Sequence, residues 1–284
     1  MGFERNAAAW WLKLRDEGVW FGRVLTLGRQ AMHLDPATLA RVYRRLGVPQ
    51  PADTSAFADR LLVAMGAATV EALDASPYEQ ATRLHDLNEP VPRAWHEQFD
   101  VVFDGGTLEH VFNVPAALAN CIEMLKVGGR FVAATVANNW CGHGFYQFSP
   151  ELFYRAFSPA NGCSVVEMVV ADADGRRCYR VVDPDRARER IQLWTCDPLY
   201  LLVHARRDAV VPVFATVPQQ ADYVRDWAAP AASGTMRPPG DVARWKNLPA
   251  VGPILAWRSR RIWQRRRRAS LDDRRFFTPV DLAI

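Results

Sequence analysis

The sequence predicts an α/β fold: a doubly wound sheet of seven mostly parallel strands, with an antiparallel strand at its edge and a C-terminal extension. Two observations support this fold class. Short apolar runs alternate with helical segments, a pattern that implies a right-handed parallel sheet. Residues 99–148 also read as strand, polar loop, helix, Gly-Gly turn, strand and polar-aromatic loop, which is the order of the second half of such a sheet. Such sheets bind ligands beyond the carboxyl ends of their strands, so function is expected in the loops at 104–110 and 138–148.

Turn and capping residues define the elements of the first half. Helices are predicted at residues 4–17, 36–46 and about 54–65, and strands at 22–27, 69–73 and 82–84. Asp35 precedes Pro36, which marks the start of the second helix as an N-cap followed by a favoured first helical residue. The second and third helices form an insertion at about residues 35–66, between the first two strands.

The second half completes the sheet and leads into the extension. Strands are predicted at residues 99–103, 130–136, 164–170 and 199–206, and helices at 114–125 and from Pro150. The last two strands are expected to form an antiparallel pair that closes the sheet. These elements define a domain over residues 1–208. Residues 209–284 are expected to be a C-terminal extension, with a linker-like stretch at 228–240 and a basic helix at 254–271.

The composition excludes several classes of protein. No apolar run reaches the ~18 residues that indicate a membrane span. The N-terminal residues are charged and lack an apolar core, so no signal peptide is expected. The five cysteines include no CxxC pair, which predicts neither a disulfide framework nor a zinc site. A reducing, cytoplasmic setting is therefore expected, and no residue is assigned to a metal.

The positive charge is concentrated near the C-terminus. Nine arginines and two aspartates within residues 257–275 give that segment a charge of +7, which leaves −3 for the rest of a chain whose net charge is +4. Four of the arginines are consecutive, at 265–268. They have three interpretations: a solvated or partner-facing helix, a contact with phosphate-bearing molecules, or a contact with an anionic membrane surface. Basic and aromatic residues are not interleaved, so no specific nucleic acid is expected.

The segments FDVVFDGGTLEHVFN and ALANCIEMLKVGGRFV, at residues 99–132, carry a family resemblance. They resemble class I S-adenosylmethionine-dependent methyltransferases, which commonly show a strand ending in Asp, an LEH-type loop and a helix ending in L-K-x-G-G. The resemblance covers roughly residues 20–206. The chain is also similar to a bacterial subgroup that carries VLTLGRQ, HDLN and GHGFYQFSP segments. The resemblance implies a Rossmann-like methyltransferase fold, S-adenosylmethionine as cofactor and methyl transfer to an O or N atom of a small molecule, such as a secondary metabolite or glycan precursor.

The family's cofactor contacts are carried over to the ends of the strands. Gly28 ends the first strand, although GRQAM replaces the usual G-x-G, and Arg29 or Gln30 is expected at the carboxylate of the methionine portion. Asp74 ends the second strand and is expected to accept hydrogen bonds from the ribose hydroxyls. The adenine is assigned to a pair after the third strand, Asp86 and Leu87. The remaining contacts follow the fourth strand, where glycines allow a close approach of the backbone: Asp104, Gly105, Gly106 and Thr107.

The expected candidates for catalysis are two histidines and a tyrosine. His143 lies between two glycines, and a histidine near its ordinary pKa is a natural proton acceptor. His110 is the second candidate base. Tyr146 is expected to orient the acceptor or to lie over the sulfonium. Glu109 is explained by its position at the start of a helix, where a negative charge is favourable.

Two other classes of function stay open. The missing second glycine after Gly28 leaves room for another use of the cofactor, such as aminocarboxypropyl transfer or an intramolecular cyclisation that gives methylthioadenosine. The chain could also have kept the fold as a binding protein and lost the chemistry. A Rossmann dehydrogenase is disfavoured because no G-x-G-x-x-G follows the first strand. The expected partner is a small-molecule substrate, with homodimer formation left open.

Overall fold

A computed structural model describes residues 2–52, 55–191, 193, 195–228, 253–254, 257–262 and 270–284. Within these residues, one sheet contains nine strands: β1 (Gly22–Leu27), β2 (Ala67–Asp74), β3 (Arg83–Leu84), β4 (Phe99–Asp104), β5 (Leu125–Asn138), β6 (Cys163–Asp172), β7 (Cys178–Val181), β8 (Leu199–Arg207) and β9 (Phe277–Val280). Their order across the sheet is β3-β2-β1-β4-β5-β8-β6-β7-β9. The first five strands pair in parallel, and the remaining pairings are antiparallel.

The doubly wound parallel half is confirmed, but the strand count of seven is wrong. The predicted antiparallel pair, β6 and β8, forms, yet it does not close the sheet. Strand β7 folds back on β6, and β9 then pairs with β7. Each of these two extra strands has only four residues, and β9 lies almost 100 residues after its partner. Segments this short show little alternation of apolar and polar residues, so the sequence does not indicate them as strands. Their pairing depends on the tertiary structure.

Helices cover both faces of the sheet. They are α1 (Arg5–Asp16), α2 (Pro36–Leu46), α3 (Asp59–Ala64), α4 (Val114–Met124), α5 (Pro150–Ala156), α6 (Pro184–Ala187) and α7 (Ala221–Ala228). Helices α1, α2 and α3 pack on one face, where Trp10 and Trp11 are fully buried. Helices α4 and α5 pack on the other face. The Asp35 side chain accepts a hydrogen bond from the Thr38 N–H, which confirms the N-cap of α2.

The strand order reverses between β1 and β4. Leu27, at the end of β1, lies beside Leu73 of β2 and Asp104 of β4 in the sheet register. The three strands therefore end at the same height along the carboxyl edge of the sheet. Such a reversal opens a crevice at the carboxyl edge, and that crevice is the usual ligand site of an open α/β sheet.

The C-terminal region contributes β9 to the same sheet. The boundary predicted at residue 208 therefore stays a prediction. Residues 257–262 of the predicted basic helix are helical. The arginine run at 265–268 and most of the predicted linker lie outside the described residues. Among the helices that are described, none has the length and apolar character needed to cross a membrane.

Candidate functional site

Gly28, Asp74 and Thr107 meet at the carboxyl ends of β1, β2 and β4. Gly28 has a φ of +65°, and a Cβ atom there would lie 2.9 Å from Thr107 Oγ1 and 3.9 Å from Asp74 Oδ2. Asp74 is half-buried, and its Oδ1 accepts the Ser76 N–H at 2.9 Å. A glycine is thus required both by its left-handed backbone and by the close approach of its neighbours. These are three of the residues that the sequence assigned to the cofactor.

Arg29 turns away from this crevice. Its Nε and Nη2 atoms donate to Asp59 Oδ2, at 3.1 and 2.9 Å, and its Nη1 atom donates to the Glu79 carbonyl. The guanidinium also lies over the ring of Phe57, 4.1 Å from its centroid. A contact between Arg29 and a cofactor carboxylate stays a prediction, and it would require this guanidinium to leave Asp59.

Gln30 lies across the ends of β1 and β4. The side chain is only 2% exposed, and its Nε2 atom donates to the Leu27 carbonyl at 2.7 Å. Its Oε1 atom is buried and has no hydrogen-bond partner within the described residues. A Cβ atom at position 105 would collide with this oxygen, which explains why Gly105 is a glycine. The backbone at Gly105 is therefore covered by Gln30 in this conformation.

Asp104 organises the loop that follows β4. It is fully buried, and its Oδ1 atom accepts the backbone N–H groups of Thr107 and Leu108, at 2.8 and 3.2 Å. Burial raises the pKa of this carboxyl. The next residues form a 3₁₀ turn over Leu108–His110, which follows Gly106 with its φ of +98°. Direct contact of Asp104 with a cofactor stays a prediction.

Asp86 and Leu87 lie in the loop after β3. Asp86 is exposed, and hydrogen bonds from the N–H and side-chain amide of Asn88 hold the pKa of its carboxyl below the usual range. Leu87 is buried, and its carbonyl accepts from Asn120 Nδ2 on α4. Asn88 in turn binds the backbone N–H of Asn113. The loop predicted to contact adenine is therefore tied to α4.

Glu109 lies in the 3₁₀ turn before α4, which begins at Val114, so its predicted position at the start of a helix is wrong. Its side chain is completely buried, and its Oε2 atom accepts from Thr135 Oγ1 of β5 at 2.9 Å. Burial first, and the charge of Asp104 second, raise the pKa of this carboxyl. The remaining atom, Oε1, lies 3.7 Å from His143 Nε2 and has no hydrogen-bond partner in the part of the chain that the structure describes. Its position beside His110 is the one sequence signal that could have drawn attention to it.

The loop over residues 139–148 folds onto the backbone of Glu109. The Glu109 carbonyl accepts the N–H groups of Phe145 and Tyr146, at 2.8 and 3.2 Å. A Cβ atom on Gly144 would lie 2.7 Å from that carbonyl oxygen, whereas one on Gly142 would have nothing within 4 Å. Only the second of the two glycines beside His143 is therefore required by packing.

The two predicted catalytic histidines lie together above Glu109. The rings of His110 and His143 are 5.1 Å apart between centroids, and His143 also contacts Trp140 at 5.7 Å. Burial lowers the pKa of both imidazoles. Both rings therefore favour the neutral form, which can accept a proton or bind a metal.

Tyr146 lies on the other side of this loop. Its hydroxyl donates to the Phe112 carbonyl at 2.9 Å, and its ring stacks on Phe148. The ring lines an apolar groove of about 620 Å³ between α4, α5 and the segment that follows β8. The groove is also lined by Val114, Pro115, Leu118, Gln147, Phe148, Ser149, Leu152, Ala156, Phe214, Val217 and Pro218. Tyr146 thus connects the histidine loop with an apolar surface large enough for a small organic group.

The comparisons with known proteins give distant similarities. No protein-family model matches the chain. The ubiquinone biosynthesis O-methyltransferase of Rhodopseudomonas palustris (strain BisB18) is 30% identical over 146 residues, which are 49% of this chain and 46% of that protein. The chain thus matches less than half the length of this curated relative.

Solved structures of methyltransferases are also similar. A putative sarcosine dimethylglycine methyltransferase from Galdieria sulphuraria aligns over 72% of this chain and 86% of its own, with 11% identity and a TM-score of 0.43. The N-methyltransferase NodS from Bradyrhizobium japonicum WM9, solved with S-adenosylhomocysteine, aligns over 72% and 87%, with 16% identity and a TM-score of 0.43.

Proposed function

We propose that this chain is an S-adenosylmethionine-dependent methyltransferase that methylates an O or N atom of a small molecule. The observation that supports this most directly is the crevice where β1 and β4 diverge. There, a left-handed Gly28 lies close to the half-buried carboxylate of Asp74 and to Thr107. A carboxylate at this position can accept hydrogen bonds from two adjacent ribose hydroxyls. The curated relative, an O-methyltransferase, agrees with this proposal.

The chemistry needs the acceptor to be held in line with the sulfonium methyl group. The acceptor lone pair forms a bond to the methyl carbon while the bond from that carbon to sulfur breaks, so S-adenosylhomocysteine leaves. A protonated acceptor must also lose a proton to a base. His143 suits this role because burial lowers the pKa of its imidazole and keeps it neutral. Glu109 lies directly behind it and would act as a positioning residue.

The proposal is tested by isothermal titration of the full chain with S-adenosylhomocysteine. Asp74→Ala is expected to weaken binding by about 10- to 100-fold, because hydrogen bonds to a charged group contribute about 1.5–3 kcal/mol. The matched control is Asp208→Ala, since Asp208 pairs with Arg206 at the opposite edge of the sheet. That variant should bind as the wild type does. No heat of binding in the wild type, or equal affinities for both variants, would contradict the proposal.

The position of Gln30 favours a second use of the same cofactor. Its side chain covers the end of β4 where the missing glycine would otherwise leave the backbone open. A cofactor shifted by this side chain could expose its aminocarboxypropyl group in place of its methyl group. Chromatography of the nucleoside product separates the two reactions. Methyl transfer yields S-adenosylhomocysteine, whereas the alternative yields methylthioadenosine.

A further inference from the structure

Three side chains with metal-binding chemistry converge beside the crevice. One ligand atom from each of Glu109, His110 and His143 lies within 4.8 Å of the others. The cysteine pattern alone had suggested no metal, and this cluster contains no cysteine. We propose that Glu109, His110 and His143 bind a divalent transition-metal ion of the Zn²⁺ class.

The strongest support is a pair of buried atoms without partners. Glu109 Oε1 and His143 Nε2 are both buried, and neither has a hydrogen-bond partner among the described residues. They are 3.7 Å apart, which is too far for a hydrogen bond between them. Leaving a carboxyl oxygen buried and unpaired is costly. A cation between the two atoms removes that cost for both at once.

The spacing fits two ligands of one ion. Zinc binds imidazole nitrogen and carboxylate oxygen at about 2.0–2.2 Å, so two ligands at a tetrahedral angle are roughly 3.4 Å apart. The separation of 3.7 Å is close to this value. A ring nitrogen of His110 lies within 4.8 Å of a ligand atom of Glu109 and of His143, so a small rotation of this exposed side chain would bring it to the ion as the third ligand.

The surroundings hold the ligands in place. Thr135 Oγ1 donates to the second oxygen of Glu109, which orients the carboxylate in the way that outer-shell groups orient metal ligands. The hydrogen bonds from Phe145 and Tyr146 to the Glu109 carbonyl fix the loop that carries His143. Two imidazoles with one carboxylate favour zinc, iron or cobalt over magnesium, which prefers oxygen ligands alone.

Three protein ligands leave a coordination position open, as in catalytic zinc sites. If the proposed methyl transfer is correct, this position suits a hydroxyl of the acceptor. The ion would make a bound hydroxyl more acidic, so that its proton would pass to solvent and its oxygen would bond to the methyl carbon while the bond from that carbon to sulfur breaks. His143 is then a ligand, and the ion replaces it as the means of removing the proton. Metal binding itself does not depend on this reaction.

The test uses the full chain after dialysis against a chelator. Zn²⁺ is titrated in competition with a chromophoric chelator, and Co²⁺ is added separately so that its visible spectrum reports the ligand geometry. The wild type is expected to bind one equivalent. Glu109→Gln and His143→Ala should each weaken Zn²⁺ binding by at least about 100-fold, since second-shell changes alone cost 10- to 100-fold.

Two controls make the outcome specific. Cys141 is an exposed thiol two residues before His143, and His96 is a histidine that pairs with Glu123 elsewhere. Cys141→Ser and His96→Ala should bind Zn²⁺ as the wild type does. Loss of binding in Cys141→Ser with retention in Glu109→Gln would overturn the proposal, as would the absence of stoichiometric binding. S-adenosylhomocysteine titrations of the same variants test the fold and the cofactor site independently of the metal.

Discussion

Asp104, at the end of β4, and Glu109, in the turn that follows, are two fully buried carboxyl groups whose surroundings differ. Asp104 accepts two backbone N–H groups of its own turn. Glu109 accepts one hydroxyl from β5, and its other oxygen faces an imidazole that it does not reach. Asp104 Oδ2 also has no partner among the described residues. Asp104 therefore stabilises the turn that follows it, whereas Glu109 is held in place by a side chain of β5.

This difference has a consequence for both groups. Two buried carboxyls close together disfavour being ionised at the same time. Burial raises the pKa of each carboxyl, and the charge of Asp104 raises the pKa of Glu109 further. Substitution of Asp104 should therefore lower the free energy of unfolding, whereas substitution of Glu109 should lower the rate of the reaction.

The largest expected effect tests this distinction directly. Glu109→Gln should lower the rate of S-adenosylhomocysteine formation by about 10²-fold, because Glu109 positions His143 and a misplaced catalytic group costs about that much. Its urea unfolding curve should stay close to that of the wild type. Asp104→Asn should instead lower the free energy of unfolding by about 1–3 kcal/mol, because it weakens a buried acceptor of two N–H groups. Equal losses in the free energy of unfolding would contradict the assignment of Asp104 to folding and of Glu109 to the reaction.

A second comparison sets His204 beside His143, because each has a buried ring nitrogen without a hydrogen-bond partner among the described residues. His204 of β8 is buried, and neither ring nitrogen has a partner, yet no metal-ligand cluster forms around it within the described residues. Burial, with Arg130 next, lowers the pKa of His204 to about 4. The charged groups that act on it come from three strands and a helix: Arg130, Arg206, Glu167 and Lys13. His204 thus shows that an unpaired imidazole alone is not a site.

The sign of the pH effect follows from the lowered pKa of His204. The unfolded chain takes up a proton near pH 6.5, while the folded protein does not until about pH 4. The contribution of His204 to the free energy of unfolding is therefore fully present above pH 6.5. It falls as the pH drops toward 4, by up to about 3 kcal/mol at 1.36 kcal/mol per pH unit. His204→Gln should flatten this part of the curve in urea unfolding at several pH values. An unchanged slope would contradict the assignment.

Substitution of the two glycines beside His143 should have a smaller effect on turnover, and one glycine serves as the control for the other. Gly144→Ala should lower turnover by about 10-fold or more, because its new Cβ atom would press on the Glu109 carbonyl and displace the histidine loop, and small misplacements are costly in catalysis. Gly142→Ala has open space around it and should keep wild-type turnover. Equal rates for the two variants would show that the loop does not depend on its contact with Glu109.

The elements and site residues that depend on local sequence signals could be predicted, whereas those that depend on distant parts of the chain could not. Strand β1 and helix α2 were predicted at their observed residues, because glycines and an Asp-Pro cap mark their ends. Gly28 and Asp74 were assigned to the cofactor for a similar local reason, since Gly28 follows β1 and Asp74 ends β2, and their cofactor role stays a prediction. The burial of Glu109 was not predicted, because it depends on Thr135 and on a loop some 30 residues later in the chain.

The smallest expected effect concerns the cofactor side of the crevice. Gly105→Ala should weaken S-adenosylhomocysteine binding by roughly 10-fold, because its Cβ atom would push the Gln30 side chain out of its buried position. Gln30→Ala removes the obstacle, so the double variant should recover most of the affinity. Residues in contact commonly show such non-additive effects, of about 0.5–3 kcal/mol. Purely additive losses in the four titrations would mean that Gln30 and Gly105 act on the cofactor separately, and that Gln30 does not set where the cofactor lies.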